Sequence, residues 1–183
     1  MSAIPSVDLN DFVSGDLDRK QKFIKEIGSA FENIGFVALK SHFLSDDLVA
    51  KLYREIKLFF DLPQEIKDQY EIPGLAGQRG YTSFGKEHAK GRKEGDLKEF
   101  WHFGQYEAAP KNSGDHYPEN IHVKELSHFN DIGKEVYIAL EKTAKEVLKA
   151  LALHIGLEEN YFEQYATAGN SILRPIHYPP ITT

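Results

Sequence analysis

The longest amphipathic stretch of the sequence, residues 123–155, constrains the fold more than any other feature. Its apolar side chains recur at helical spacing and form one stripe, with lysines and glutamates opposite. The stripe consists of Ile132, Val136, Leu140, Val147, Leu151 and Ile155. Gly156 follows at once, and glycine is common just beyond a helix end. The sequence therefore predicts a long helix with one buried face.

Shorter segments predict the remaining secondary structure, an α+β arrangement of helices with a few strands. Helical spacing and capping residues indicate helices at residues 18–33, 46–60, 63–70 and 159–165. Short β-prone runs between turn residues indicate strands at residues 4–9, 36–39, 98–103 and 171–178, the second of them buried. The glycine-rich stretch 72–95 is predicted to be one long loop, and long ordered loops are often functional.

The composition limits the partners that the protein could have. The 183 residues are 41% hydrophobic and 27% charged, as is usual for globular domains. A net charge of −6 argues against nucleic acid, which needs a basic surface. We expect no membrane span and no secretory signal, because no apolar run is long enough. The lack of cysteine excludes disulfides and thiolate chemistry, and the cytoplasm is the expected location.

Two of the predicted strands carry candidate site residues. In residues 98–103, alternation places Phe100 and His102 on one face and two further aromatic side chains on the other. The face with His102 could be a pocket wall, or both faces could be buried in a covered sheet. In residues 171–178, Arg174 and Tyr178 share a face and could hold a carboxylate. The alternative is an arginine whose head merely reaches solvent.

Common catalytic motifs are absent or incomplete. Residues 80–87 approach the phosphate-binding loop pattern, but Glu87 stands where a hydroxyl should hold Mg²⁺. None of the eight histidines is followed two residues later by Asp or Glu, the pair that begins the facial triad of non-haem iron(II). The zinc-binding histidine pair and the serine-hydrolase elbow are also missing. The residues alone therefore indicate no metal ligand and no catalytic residue in this chain.

The last predicted strand, residues 171–178, needs a neighbour for its backbone hydrogen-bonding groups. Either the sheet continues in sequence beyond Thr183, or this strand pairs with the predicted strand at residues 98–103. The sequence pattern leaves both arrangements open.

Five short motifs follow one another along nearly the whole chain. They are Ile4-Pro5 to Asp8-Leu9, Phe31 to Phe36 with His42, Phe59 to Pro63 continuing to Tyr70, Arg79-Gly80-Tyr81 with Asp96 to Phe100, and Leu173 to Pro180. Each motif is weak alone, but five in this order are specific. Together they resemble the N-terminal portion of the 2-oxoglutarate/Fe(II)-dependent oxygenases related to isopenicillin N synthase.

The resemblance implies a fold, a chemistry and a set of site residues. Residues 1–170 would be the N-terminal helical region of a non-haem dioxygenase, and residues 171–183 the first strand of a double-stranded β-helix, or jelly roll. Such enzymes use Fe(II) and 2-oxoglutarate to oxidise a small-molecule substrate with O₂. By position, the cosubstrate- or substrate-binding residues would be Tyr178, Arg174, Ile176, Phe100, His102, Arg79 and Tyr81.

The sequence departs from the family pattern at its end. The His-x-Asp pair and the third iron ligand of the family would follow the Tyr178-Pro179-Pro180 segment, and the chain stops at Thr183. We therefore expect an incomplete jelly roll, neither iron nor 2-oxoglutarate bound by this chain alone, no catalytic activity, and self-association through an exposed strand edge. The alternative is a non-catalytic helical binding domain of the same ancestry.

Overall fold

The computed structural model describes residues 3–75, 77–88, 91, 95–107, 117–166 and 169–180. Its elements are β1 (Ser6–Asp8), α1 (Leu9–Val13), α2 (Leu17–Asn33), β2 (Ala38–Lys40), α3 (Asp46–Phe60), α4 (Gln64–Lys67) with a 3₁₀ turn (Asp68–Tyr70), β3 (Gly80–Thr82), β4 (Glu99–His102), α5 (Phe129–His154), α6 (Glu163–Ala166) and β5 (Ile176–His177). The chain divides into two units, Met1–Ser45 with Ile138–Thr167, and Asp46–Tyr137 with Ala168–Thr183.

The first unit has a small core between α1, α2 and the C-terminal part of α5. Leu9, Phe12, Phe23 and Ile27 are buried there, together with Ala150. The Asp16 side chain accepts hydrogen bonds from two backbone N–H groups in the first turn of α2, a standard N-cap that satisfies groups without a helical partner. The predicted helix at residues 18–33 is thus confirmed with its expected buried face.

The strand predicted at residues 36–39 was expected to be buried, and that expectation is wrong. The ladder forms at Ala38–Lys40, in parallel register with β1. Phe36 precedes it and is 68% exposed, while only Leu39 within β2 is partly covered. Exposure alternates in this way along a strand that is buried on one face, whereas the run of apolar residues suggested burial on both faces.

The second unit is organised by an antiparallel sheet in the order β3-β4-β5. Along β4, Trp101 pairs with Tyr81 of β3, and Phe100 pairs with Ile176 of β5. An isolated bridge between Phe103 and Leu173 extends the β4-β5 ladder in the same register. Because side chains alternate across a sheet, residues 80, 82, 100, 102, 174 and 176 share one face.

The opposite face of this sheet carries an aromatic core. Trp101 and Phe103 are fully buried and pack with Phe59 of α3 and Phe129 of α5. The Trp101 ring lies 4.8 Å from that of Phe59 and 5.0 Å from that of Phe129, both at steep interplanar angles. Edge-to-face contacts of this kind add to the free energy gained by burial. This core fixes β4 in place and thereby positions its other face.

Residues 72–95 were predicted as one loop, but they contain β3. Glycines on both sides of Tyr81 hide the alternation that would have indicated a strand. Gly80 has φ of +75°, and a Cβ atom there would lie 2.6 Å from the carbonyl oxygen of Tyr70. Only glycine combines this backbone conformation with so close an approach. The glycine therefore belongs to the strand entry and does not indicate a loop.

The long helix is shorter than residues 123–155. It begins at Phe129, because the Asn130 side chain accepts a hydrogen bond from the Val123 N–H and donates one to the Ile121 carbonyl, at 2.8 and 2.7 Å. These bonds hold residues 121–123 outside the helix. Two members of the predicted stripe, Leu140 and Ile155, are exposed. The helix predicted at residues 159–165 is likewise reduced to α6.

The last predicted strand pairs with β4, as one of the two alternatives required. The Trp101 N–H donates to the Pro175 carbonyl at 3.1 Å, and Phe103 and Leu173 exchange two hydrogen bonds. Among the described residues no strand lies on the other side of β5. None of the helices described there is both long and apolar enough to cross a membrane.

Candidate functional site

A cavity of about 780 Å³ lies over the second face of the β3-β4-β5 sheet. The strand register brings Thr82, Phe100, His102 and Arg174 to this face, and all four line the cavity. The loop segments around β3 complete its wall with polar and charged groups. They contribute Asp68, Glu71, Gly77, Arg79, Lys86, Glu87 and His88, among others.

His102 is held by two hydrogen bonds that define its protonation. Its Nδ1 faces the Gly77 carbonyl oxygen, and its Nε2 lies 2.5 Å from Nε of Arg174. A guanidinium group can only donate, so Nε2 must accept and the proton must reside on Nδ1. Burial lowers the pKa of His102 to about 4. His102 is therefore a neutral imidazole with a fixed tautomer at neutral pH.

Arg174 is fixed by its contact with His102 and by an aromatic platform. Its guanidinium carbon lies 4.4 Å from the centroid of the Phe100 ring, a cation–π geometry. Nη1 lies 3.4 Å from Glu87, a long contact, because Lys98 holds that carboxylate at 2.6 Å. The strand face predicted from alternation therefore lines the cavity, although Phe100 and His102 are themselves buried, as the alternative expected. Arg174 belongs to the same face, and its side chain is 38% exposed.

Arg79 is the second arginine at the cavity and is fully buried. Nη1 donates to the Gln78 carbonyl at 2.7 Å, and Nη2 donates to Oδ1 of Asn170 at 3.1 Å. Burial lowers the pKa of its guanidinium. Through Asn170 the side chain ties the segment before β3 to the segment before β5. Its contribution to the cavity is therefore also structural.

Sequence reasoning missed a buried ion pair on the core face of the sheet. Glu99 of β4 lies 2.7 Å from Lys67 and accepts a hydrogen bond from the Tyr81 hydroxyl. Its other oxygen lies 2.8 Å from Nδ1 of His177. Burial alone would raise the pKa of Glu99, but these three partners outweigh it and lower the pKa. The signal in the sequence was an acidic residue on the strand face that it shares with Trp101 and Phe103.

The structure brings five of the seven predicted site residues to the cavity: Arg79, Tyr81, Phe100, His102 and Arg174. The Tyr81 hydroxyl itself is directed at Glu99 and Gln64, and burial raises its pKa. Ile176 and Tyr178 are not among the lining residues and are 41% and 66% exposed. Their predicted contact with substrate or cosubstrate stays a prediction.

The described residues do not fit an iron site. No three histidine, aspartate or glutamate side chains gather anywhere in that part of the chain, and three such ligands define a facial triad. His102, which lines the cavity, already uses both ring nitrogens.

The near-match to a phosphate loop fails as expected, because residues 80–82 are a strand and Glu87 is paired with Lys98.

A family model described as the N-terminal region of the non-haem dioxygenase in morphine synthesis matches residues 4–125. The chain belongs to the 2-oxoglutarate/Fe(II)-dependent oxygenase superfamily. This membership confirms the resemblance inferred from the five motifs.

Curated and solved members of the superfamily align along nearly the whole chain. A 2-oxoglutarate-dependent dioxygenase of Aspergillus flavus is 27% identical, over 97% of this chain and 56% of its own length. A 2OG-Fe(II) oxygenase family protein from Caulobacter crescentus is 35% identical, with a TM-score of 0.82 over 100% of this chain and 58% of that one. A full-length Neurospora crassa protein in complex with alpha-KG is 27% identical, with a TM-score of 0.78 over 96% of this chain and 54% of that one. The chain thus spans about half the length of the curated relatives that it matches.

Proposed function

We propose that this chain supplies a wall of the substrate pocket in a 2-oxoglutarate/Fe(II)-dependent dioxygenase that oxidises a small molecule with O₂. The observation that carries the proposal is the cavity over one face of the β3-β4-β5 sheet, which gathers Phe100, His102 and Arg174. These are residues to which the family resemblance gives a substrate-binding role. The Neurospora crassa relative, whose structures include one with alpha-KG and thymine, supports a small-molecule ligand.

In this proposal the residues of the chain bind and orient substrate and do not hold the metal. Fe(II) and 2-oxoglutarate would supply the oxidising chemistry when bound in the complete catalytic site. Residues 171–183 would be the first strand of the jelly roll, preceded by the helical region of residues 1–170. Among the described residues no strand lies beyond β5, and Tyr178 is exposed; both observations support a strand that receives further structure.

We also propose that the 183-residue chain alone neither binds iron(II) stoichiometrically nor turns over 2-oxoglutarate. The support is that none of its histidines begins a His-x-Asp or His-x-Glu pair. Anaerobic titration of the purified chain with Fe(II), followed by calorimetry, tests this. Tight binding of one equivalent would contradict it, because affinity of that order requires a formed set of ligands.

The pocket is tested by ligand screening. A library of amino acids, nucleobases and short carboxylic acids is screened against the protein by saturation-transfer NMR. We expect binders whose signals are lost in Phe100→Ala and kept in Lys25→Ala, since Lys25 lines the separate depression between β1 and α2. Binders whose signals persist in Phe100→Ala, or a screen without binders, would contradict the assignment of the cavity as the substrate pocket.

A further inference from the structure

The pairing of His102 with Arg174 is unusual, because arginine always carries a positive charge and histidine can acquire one. They occupy directly opposed positions on β4 and the segment leading into β5, and the arginine Nε donates to the imidazole at 2.5 Å. The contact exists only while His102 is neutral with Nε2 unprotonated. The carbonyl of Gly77 selects that tautomer by accepting from Nδ1.

This arrangement leaves the outer edge of the Arg174 guanidinium available. Nε is used by His102, the guanidinium carbon lies over the Phe100 ring, and Nη1 has one long contact with Glu87. Nη2 has no hydrogen-bond partner among the described residues. The two Nη groups of a guanidinium form a planar fork that matches a carboxylate.

The carboxylate already present, that of Glu87, does not occupy this fork in full. It approaches Nη1 at 3.4 Å, whereas Lys98 lies 2.6 Å from its other oxygen. Asp96 also binds Lys98. Glu87 is therefore drawn toward Lys98, and an incoming anion would compete with it only at its weaker contact.

We propose that Arg174, positioned by His102, is the subsite of the cavity that recognises an anionic group of the ligand, with a carboxylate as the best match. His102 acts as a positioning residue: it accepts from Nε and turns the Nη fork toward the cavity. The inference rests on the proposed function, because it assumes that the cavity is the small-molecule site. It adds the chemical class of the ligand and the residue that selects it.

The first experiment uses benzoate and benzamide, which share a ring and differ in charge. Protein labelled with ¹⁵N in histidine and arginine is titrated with each while the Arg174 Nε–H signal is followed by NMR. Benzoate is expected to shift this signal to saturation and benzamide is not. The free protein should show His102 as the neutral Nδ1–H tautomer. Equal binding of benzamide, or a His102 tautomer with the proton on Nε2, would overturn the proposal.

A matched pair of variants separates positioning from simple support. His102→Gln keeps an acceptor near the Nε2 position, whereas His102→Asn keeps a donor near Nδ1 and loses that acceptor. We expect the affinity for benzoate to stay within about threefold of wild type in His102→Gln. In His102→Asn we expect an affinity at least about tenfold lower, because the loss of one charge-assisted hydrogen bond has an effect of this size. Comparable urea midpoints show that both variants fold. Equal binding by the two would overturn the role of His102.

Glu87 provides a test in the opposite direction. Glu87→Gln removes the competing charge and should tighten benzoate binding, whereas Arg174→Lys removes the planar fork and should weaken it at least about tenfold. Weaker binding in Glu87→Gln would overturn the proposal. If neutral library compounds bind the cavity but benzoate does not, only the anion subsite falls. If no compound binds the cavity, the proposed function falls with it.

Discussion

Glu99 is a buried charged side chain that is held by three partners. It is 5% exposed, and its partners Lys67, Tyr81 and His177 come from three separate segments. A buried ion pair contributes little net stability relative to an apolar pair, but removing one partner leaves the other charge buried and uncompensated. The residue therefore holds α4, β3 and β5 around β4 in one arrangement.

Glu99→Gln should lower the free energy of unfolding by about 3–5 kcal/mol, the usual cost of leaving a buried partner charge unpaired. The reason is that the ammonium group of Lys67, whose side chain is 7% exposed, would lose its carboxylate. Urea unfolding at neutral pH measures the change. Asp61→Asn is the matched control, since it removes the acid of the exposed Lys57–Asp61 pair and should leave the midpoint nearly unchanged. A Glu99→Gln midpoint equal to that of the control would contradict the role of Glu99.

His102 should make the fold sensitive to mild acid. Its pKa is about 4 in the folded protein, below the ordinary value of 6.5 that applies to the unfolded chain. As the pH falls, the unfolded chain therefore takes up a proton first. Stability is therefore lost between about pH 6.5 and pH 4, by about 3 kcal/mol at 1.36 kcal/mol per pH unit. The charged groups around the ring, Arg174, Arg79 and Glu87, are those that influence its titration.

The measurement is urea unfolding at several pH values for wild type and His102→Gln. The variant cannot take up the proton, so its stability should fall less than that of wild type across this interval. Glu99 also loses its stabilising charge in acid, because its pKa is lowered in the folded state, but it does so equally in both proteins. Parallel pH profiles would contradict the buried neutral state of His102.

At the scale of elements, β3 depends on Gly80, which lies in a segment that the sequence pattern predicted to be a loop. Gly80→Ala should cost about 1 kcal/mol for the left-handed backbone and about 1–3 kcal/mol more for the contact with the Tyr70 carbonyl. Gly85→Ala is the control, because Gly85 has φ of +76° but nothing within 4 Å of an added Cβ. Equal urea midpoints for the two variants would contradict the steric part of this prediction.

The elements that the sequence predicted well are those with a long, regular pattern. The helix at residues 18–33 and the strand at residues 98–103 follow directly from side-chain spacing, and alternation along that strand correctly placed Phe100 and His102 on one face. β3 was missed because it has only three residues, the first of them a glycine, and so short a segment has no measurable period. The start of α5 was misplaced because the Asn130 side chain binds backbone groups, which no periodicity reveals.

The same distinction applies to the candidate site. Alternation grouped Arg174 with Tyr178, but it could not show that of these two only Arg174 lines the cavity. The partners of His102 and Glu99 lie 18 to 78 residues away in sequence, so single-sequence reasoning had no means to identify them. Burial of Arg79 was likewise invisible, since arginine is normally a surface residue.

At the scale of the whole molecule, β5 has no strand on its outer side among the described residues, and an open apolar strand edge is a template for association. Ile172, Ile176 and Tyr178, in and next to β5, are exposed. We predict concentration-dependent self-association of the 183-residue chain, measured by light scattering. Ile176→Lys should reduce it, and Leu17→Lys, at another exposed apolar position, should not. A monodisperse monomer at high concentration would contradict this prediction.

The aromatic core contains the single tryptophan of the chain. Trp101 is fully shielded from solvent and belongs to the unit Asp46–Tyr137 with Ala168–Thr183. Its intrinsic fluorescence is therefore a native reporter for that unit alone. Far-ultraviolet circular dichroism, by contrast, follows the helices of both units. Coincident denaturation curves from the two optical signals would reveal one cooperative transition, and separated curves would reveal that each unit melts independently.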